Sequence, residues 1–88
     1  MNILFEPRAW QEYIDWQLED KKMLKRINQL IKDIERYGQS EGIGKPEPLK
    51  YGLSGFWSRR INDAHRLVYK VQDDNLLIIA CKSHYDDK

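Results

Sequence analysis

The sequence has little that could cross-link it, bind a metal or cross a membrane. Its single cysteine, Cys81, has no partner for an internal disulfide. No cluster of Cys and His has the spacing of a structural zinc site, and we expect no cofactor. The longest apolar run is six residues, 76–81, against about 20 needed to span a bilayer. The fold must therefore be stabilised by its own hydrophobic core.

Neither sign of charge is in excess. The 88 residues carry a net charge of +1, so overall charge indicates no polyanionic partner. With 33% charged and 41% hydrophobic residues the chain is too apolar for intrinsic disorder. No basic stretch precedes the first apolar residues, unlike in a secretory signal. We expect one domain over residues 1–88, located in the cytoplasm.

Two helices are predicted in the N-terminal half. A short apolar stretch, residues 3–5, precedes Pro7, which suits the first position of a helix. Trp10, Tyr13, Ile14 and Leu18 then recur at helical spacing and are expected to be buried. After a capping residue, Asp20, a second helix has the strongest periodicity, and Gly38 ends it. Its apolar positions are Met23, Ile27, Leu30, Ile31 and Ile34.

The C-terminal half is predicted to be a sheet. Residues 38–55 contain all five glycines and two of the three prolines, which is typical of a loop. Strand-like runs follow at 56–61, 65–71 and 76–82, with turns between them. The last run is apolar on both faces and should be an interior strand. The predicted fold class is α+β with the order βααβββ, two helices on a mainly antiparallel sheet.

One segment of the chain is basic although the net charge of the whole chain is close to zero. Residues 44–72 contain six basic and two acidic side chains, a local balance of +4. Aromatic residues are interleaved with them, a composition used to bind phosphates and stack on bases. A solvated sheet face would look similar. The basic members are Lys45, Lys50, Arg59, Arg60, Arg66 and Lys70.

Hairpin register determines which arginines share a face. Either Arg59 or Arg60 lies opposite Arg66, because a shift of one residue exchanges them. If the turn comprises residues 62–64, Arg60 faces Arg66, and two adjacent cations then need an anion. The sequence leaves the two registers open.

Several strings together resemble a known family. They are GKPEPLK at residues 44–50, SGFWSRR at 54–60, HRLVY at 65–69 and HY at 84–85. With these strings the chain resembles the YoeB toxins of the RelE superfamily over nearly its whole length. The resemblance implies the RelE-like microbial ribonuclease fold and a toxin of a bacterial type II toxin–antitoxin pair. It also implies a ribosome-dependent endoribonuclease that cuts mRNA in the ribosomal A site.

The resemblance also implies roles for individual residues. Glu47 matches the family's general base, His84 its general acid and Arg66 its phosphate-stabilising cation. Lys50, Arg60 and Tyr85 match supporting positions, and we add Lys45 and Arg59 from the basic segment as RNA-binding candidates. Such a set needs no metal, because the RNA 2′-hydroxyl can attack the adjacent phosphorus and leave a 2′,3′-cyclic phosphate and a 5′-hydroxyl.

Each of these assignments has a competing interpretation. Glu47 could be an ordinary loop carboxylate, and Arg66 could pair with Asp63 or with Glu47 itself. His65 competes with His84, but we expect it to be a strand or turn residue. The carboxylates of the tail after Tyr85, Asp86 and Asp87, could repel RNA or raise the pKa of His84.

The resemblance further implies protein and RNA partners. These are a YefM-like antitoxin whose disordered tail covers the site, a second copy of the chain, and the 70S ribosome with its mRNA. One alternative function is a toxin of the same fold that inhibits by binding, as ParE-type relatives do. Another is an interaction domain with a basic face for an acidic partner. We also expect the three tryptophans to be core residues and Cys81 to be an inert buried thiol.

Overall fold

A computed structural model describes residues 1–82. Along the chain it contains strand β1 (Asn2–Phe5), helix α1 (Pro7–Glu19), helix α2 (Lys21–Tyr37), strand β2 (Glu47–Pro48), a 3₁₀ turn (Tyr51–Leu53) and strands β3 (Trp57–Arg60), β4 (Arg66–Gln72) and β5 (Asn75–Ala80). The predicted α+β class is confirmed. The short strand β2 is an addition, within a segment that the sequence predicts to be a loop. None of the described helices has both the length and the apolar character that crossing a bilayer requires.

The helices begin and end at the expected signals. Pro7 starts α1, and the Asp20 side chain accepts a hydrogen bond from the backbone N–H of Lys22 at the start of α2. Gly38, at φ 89°, ends α2. The five predicted apolar positions of α2 are all buried.

The buried face of α1 differs from the prediction. Ala9 and Trp16 are buried, whereas Trp10 is 49% and Leu18 87% exposed. Trp16 donates from its indole nitrogen to the carbonyl of Cys81 at 2.8 Å, which anchors α1 to the end of β5. Trp10 instead stacks on Tyr13 at the surface, so the prediction of a core role was wrong for this one tryptophan.

The five strands form one mixed sheet in the order β1-β5-β4-β3-β2. β5 is interior, as predicted, and pairs in parallel with β1 and antiparallel with β4. Ile79 is the extra residue of a bulge between the pairs Tyr69–Ile78 and Val68–Ala80. The bulge puts both Ile79 and Ala80 on one face and returns Cys81 to the other.

The helices cover only one face of this sheet. The main core lies between the two helices and one face of the sheet. Leu67, Tyr69 and Ile78 are among the sheet residues whose side chains belong to this core. The opposite face, here called the outer face, has a small cluster around Val68. Leu49, Leu53 and Phe56 from the segment after β2 pack on that cluster. Within residues 1–82 no helix covers the rest of the outer face, which makes this face the candidate location of a functional site.

Candidate active site

Strand pairing brings three of the expected site residues to the outer face. β3 and β4 pair Ser58 with Val68 and Arg60 with Arg66, and β2 pairs Glu47 with Ser58. Directly opposite residues in a sheet share a face. Because Val68 lies on the outer face, Glu47, Arg60 and Arg66 lie there too. Residues 47 and 66, distant in sequence, thus occupy neighbouring rows of one surface.

The β3–β4 turn fixes this register. The side-chain oxygen of Asn62 accepts hydrogen bonds from the backbone N–H groups of Ala64 (2.9 Å) and His65 (2.8 Å). The N–H of Ile61 donates to the carbonyl of His65 at 2.9 Å, which closes the turn. The turn therefore comprises residues 62–64, the case in which Arg60 rather than Arg59 faces Arg66.

The Arg66 guanidinium is held by backbone rather than by a carboxylate. Its Nη1 donates to the carbonyls of Asn62 at 2.8 Å and, more weakly, of His65 (3.2 Å) and Asp63 (3.3 Å). Among the described residues no carboxylate forms an ion pair with it, so neither of the two pairings considered from the sequence is present. The hydrogen bonds hold the guanidinium in position, and its positive charge has no carboxylate partner within residues 1–82. This arrangement suits an anionic ligand.

Glu47 is presented by a constrained segment. The backbone N–H of Arg60 donates to the carbonyl of Gly44 at 2.7 Å, and the N–H of Leu49 donates to Phe56 at 2.9 Å. Lys45 has a left-handed backbone at φ 52°, and prolines flank Glu47 on both sides. Glu47, Lys45 and Lys50 are exposed. The segment thus offers one carboxylate and two cations to solvent from a fixed backbone.

Arg59 is not part of this surface, and its assignment as an RNA-binding residue was wrong. Its side chain is fully buried on the helix side of the sheet. It forms an ion pair with Asp33 of α2 at 2.6 Å and donates to the hydroxyl of Tyr69 at 2.9 Å. Its other bonds go to the carbonyls of Gly38, Glu41 and Ile43. Arg59 therefore ties the loop after α2 to the core and cannot reach a ligand on the outer face.

Asp33 is a residue whose role sequence reasoning missed. Its carboxylate accepts from Arg59 and from the backbone N–H of Ile43 at 2.8 Å. An added Cβ at Gly42 would come within 1.8 Å of that carboxylate oxygen, so only glycine fits there. The sequence offered no specific signal for this role, because Asp33 is one of two acidic residues in α2.

Two expected residues lie outside the described part of the chain. His84 and Tyr85, together with the tail carboxylates Asp86 and Asp87, fall after residue 82. His65, the competing histidine, is half-buried beside the turn with its ring edge-on to Trp16, at 4.8 Å between centroids. His65 lies between the turn and β4, close to the strand or turn position expected of it, and its ring packs on α1.

The remaining titratable groups near the sheet have other roles. Burial raises the pKa of the Cys81 thiol to about 12, and the residue is fully buried, as expected of an inert thiol. Burial also raises the pKa of Tyr69, against the opposing effect of Arg59. No group of three or more potential metal ligands occurs within residues 1–82.

Comparison with known proteins points to one family. The family model described as YoeB-like toxin of bacterial type II toxin-antitoxin system matches residues 5–85. Toxin YoeB of Escherichia coli (strain K12) is 56% identical over 85 residues, which covers 97% of this chain and 100% of the relative. A YoeB dimer from Staphylococcus aureus is 55% identical with a TM-score of 0.91, covering 97% of this chain and 98% of that one. A YoeB-YefM complex from the same organism is 54% identical, with the same TM-score and coverage.

Proposed function

The chain belongs to the YoeB-like toxins of bacterial type II toxin–antitoxin systems, and we propose that it is a ribosome-dependent endoribonuclease that cleaves mRNA in the ribosomal A site. The observation that carries this proposal is the register that puts Glu47, Arg60 and Arg66 on one open face. A carboxylate on the same face as two guanidinium groups that form no ion pair within residues 1–82 suits a phosphodiester whose neighbouring hydroxyl must be deprotonated.

In the proposed reaction each residue moves a proton or holds charge. Glu47 accepts the proton of the RNA 2′-hydroxyl, whose oxygen attacks the adjacent phosphorus. Arg66, assisted by Arg60, holds the nonbridging oxygens as their negative charge grows. His84 donates a proton to the departing 5′-oxygen. The products are a 2′,3′-cyclic phosphate and a 5′-hydroxyl, and neither a metal nor a cofactor takes part.

Two described features support the roles of His84 and Tyr85. β5 ends at Ala80, opposite Val68 in the strand that begins with Arg66. Trp16 contacts both Cys81 and His65. The end of β5 and the end of the β3–β4 turn are therefore both close to the same indole ring. His84 follows Cys81 by three residues, a reach of at most about 11 Å. We assign the proton donor to His84 and a supporting phosphate contact to Tyr85, with Lys45 and Lys50 as further RNA contacts.

We also propose two protein partners. A YefM-like antitoxin would cover the outer face with a segment that is disordered when free, and its acidic side chains would oppose Arg60 and Arg66. A second copy of the chain would cover the aromatic patch where Phe5 of β1, Tyr13 of α1 and the exposed Trp10 of α1 border a groove of about 490 Å³. Because the proposed substrate is mRNA on ribosomes, the proposed location is the cytoplasm.

Cleavage of mRNA on purified ribosomes tests the proposal. The protein is incubated with programmed 70S ribosomes, and the new RNA ends are mapped and tested for a 5′-hydroxyl. Glu47→Gln should reduce the rate by about 10²- to 10⁴-fold while leaving thermal stability unchanged, because the side chain is exposed. Glu41→Gln, an exposed carboxylate in the loop after α2, is the matched control and should cleave normally.

Two results would reject this function. One is the absence of A-site cuts by the unaltered protein. The other is undiminished cutting by Glu47→Gln and by His84→Gln. Inhibition of translation that survives the loss of Glu47, without any cleavage, would favour the alternative of a toxin that acts by binding.

A further inference from the structure

One face of α1 binds the chain directly after β5. Four residues on this face follow one another at spacings of three and four, so they lie in a row along the helix. Each of them contacts Cys81 or Lys82. The row is here called the α1 clamp and consists of Ala9, Glu12, Trp16 and Glu19.

The polar groups of Cys81 are all bonded to the α1 clamp. Its backbone N–H donates to the Glu12 carboxylate at 2.8 Å, and its carbonyl accepts from the Trp16 indole nitrogen at 2.8 Å. Its thiol donates to the carbonyl of Ala9 at 3.7 Å. The second oxygen of Glu12 accepts from Arg8 at 3.1 Å, so the carboxylate itself is held in place. The position of this peptide is therefore determined by side chains of the helix.

These bonds replace a continuation of the β4–β5 ladder. β4 begins at Arg66, but β5 stops pairing at Ala80, opposite Val68. Within residues 1–82 Cys81 has no partner in β4, although Leu67 is the next residue along that strand. The backbone of β5 thus turns to the helix two residues before it would lie beside Arg66.

Trp16 connects this point with the turn that holds the candidate phosphate ligand. The ammonium group of Lys82 lies 5.0 Å from the centroid of the indole ring and bonds the Glu19 carboxylate at 2.5 Å. The same ring is edge-on to His65, whose carbonyl accepts from the guanidinium of Arg66. One side chain of α1 therefore fixes the end of β5 relative to Arg66.

We propose that Glu12 and Trp16 are positioning residues for the proton donor, because they fix the point from which the chain continues to His84. The inference rests on the proposed function and deepens it, and neither residue itself transfers a proton. His84 lies outside the described residues, two positions after Lys82 and four after Ala80. Two residues of chain reach at most about 7 Å, and four reach about 14 Å. Release of the α1 clamp would therefore enlarge the volume open to the imidazole about eightfold and slow proton transfer to a similar extent.

Single-turnover cleavage on programmed 70S ribosomes tests the inference, with every variant assayed below its melting temperature. Glu12→Ala removes the acceptor of the Cys81 N–H and should lower the rate at saturating ribosomes about three- to eightfold. The ribosome concentration that gives half of the maximal rate should not change, because RNA binding is not affected. Trp16→Phe removes the indole donor, keeps a ring in the core and should have a similar effect.

Two further variants separate the bond from the charge. Glu12→Gln keeps an amide oxygen as acceptor and should cleave within about twofold of the unaltered protein. Asp15→Ala is the matched control, because it removes a carboxylate from the same helix. That carboxylate accepts from Gln11 and does not bond Cys81, so cleavage should be normal.

A substrate with a better leaving group distinguishes positioning from a general loss of structure. In an mRNA with sulfur in place of the bridging 5′-oxygen at the A-site linkage, the P–S bond breaks and the thiolate leaves without a proton. On this substrate Glu12→Ala and His84→Gln should cleave within about twofold of the unaltered protein, whereas Glu47→Gln should keep its full defect. Equal losses by Glu12→Ala on both substrates would overturn the inference. A change smaller than about twofold on the oxygen substrate would do the same.

Combination with the proton donor completes the test. Glu12→Ala added to His84→Gln should reduce the rate no further, because the group to be positioned is already absent. An additive loss would contradict the inference. If the unaltered protein does not cut mRNA, the proposed function fails and the inference fails with it. If it cuts and Glu12→Ala cuts equally well, only the inference fails.

Discussion

Removing the Asp33 carboxylate should destabilise the protein strongly, although Asp33 lies away from the proposed catalytic groups. In Asp33→Ala the fully buried guanidinium of Arg59 loses its only anionic partner among the described residues. Breaking a buried ion pair from one side costs about 3 to 5 kcal/mol. Asp33 keeps 13% exposure and Arg59 keeps three carbonyl acceptors, so the lower limit, about 3 kcal/mol, applies. The lost bond to the N–H of Ile43 adds about 1 kcal/mol.

A loss of about 4 kcal/mol is readily measured in a domain of this size. It corresponds to a melting temperature lower by roughly 16 to 30 °C. Thermal and urea unfolding are compared at one protein concentration, because dimerisation would make stability depend on concentration. Glu41→Ala, an exposed carboxylate in the loop after α2, is the control and should change stability by no more than about 0.5 kcal/mol. A loss below about 1 kcal/mol in Asp33→Ala would refute the assigned role of the ion pair.

Outcomes are also expected at three further residues. Gly42→Ala should destabilise the fold by more than about 2 kcal/mol in urea unfolding. The new Cβ would collide with the ion-paired carboxylate of Asp33, and the backbone φ of 118° disfavours any residue but glycine. Gly52→Ala is the control and should be near neutral, because a Cβ there meets open space. The Cys81 thiol should not react with a thiol reagent at pH 8 until the protein unfolds. Because its pKa is raised to about 12 in the folded state, the free energy of unfolding should decrease as the pH rises from about 9 to 12, and a flat profile would contradict this. Arg66→Lys should lower the cleavage rate about 10²-fold with little change in melting temperature. The single nitrogen of an ammonium group cannot both bond the turn carbonyls and hold the phosphate, as a guanidinium can. A normal cleavage rate would exclude the proposed role of Arg66.

The aromatic residues of α1 show a limit of reading burial from periodicity. The spacing of Trp10, Tyr13 and Leu18 is helical, and the helix exists, but its core-facing residues are Ala9 and Trp16. Apolar residues occur around much of α1, so more than one face satisfies the pattern. Contact with α2 and with the end of β5 selects the buried one. In α2, where charged and polar residues occupy most of the other positions, only one face was possible and the prediction was confirmed.

The sequence by itself determined the two helices and the four longer strands, their order and the side-chain chemistry available to a site. Local spacing, caps and turn residues are sufficient for this, because they act within a few residues. Only the tertiary structure decided that Arg60 and not Arg59 shares a face with Arg66, and that Glu47 joins them through an edge strand of two residues. The physical reason is that side chains alternate along a strand with a period of two. A turn longer or shorter by one residue would exchange a buried, ion-paired arginine for one that faces a ligand.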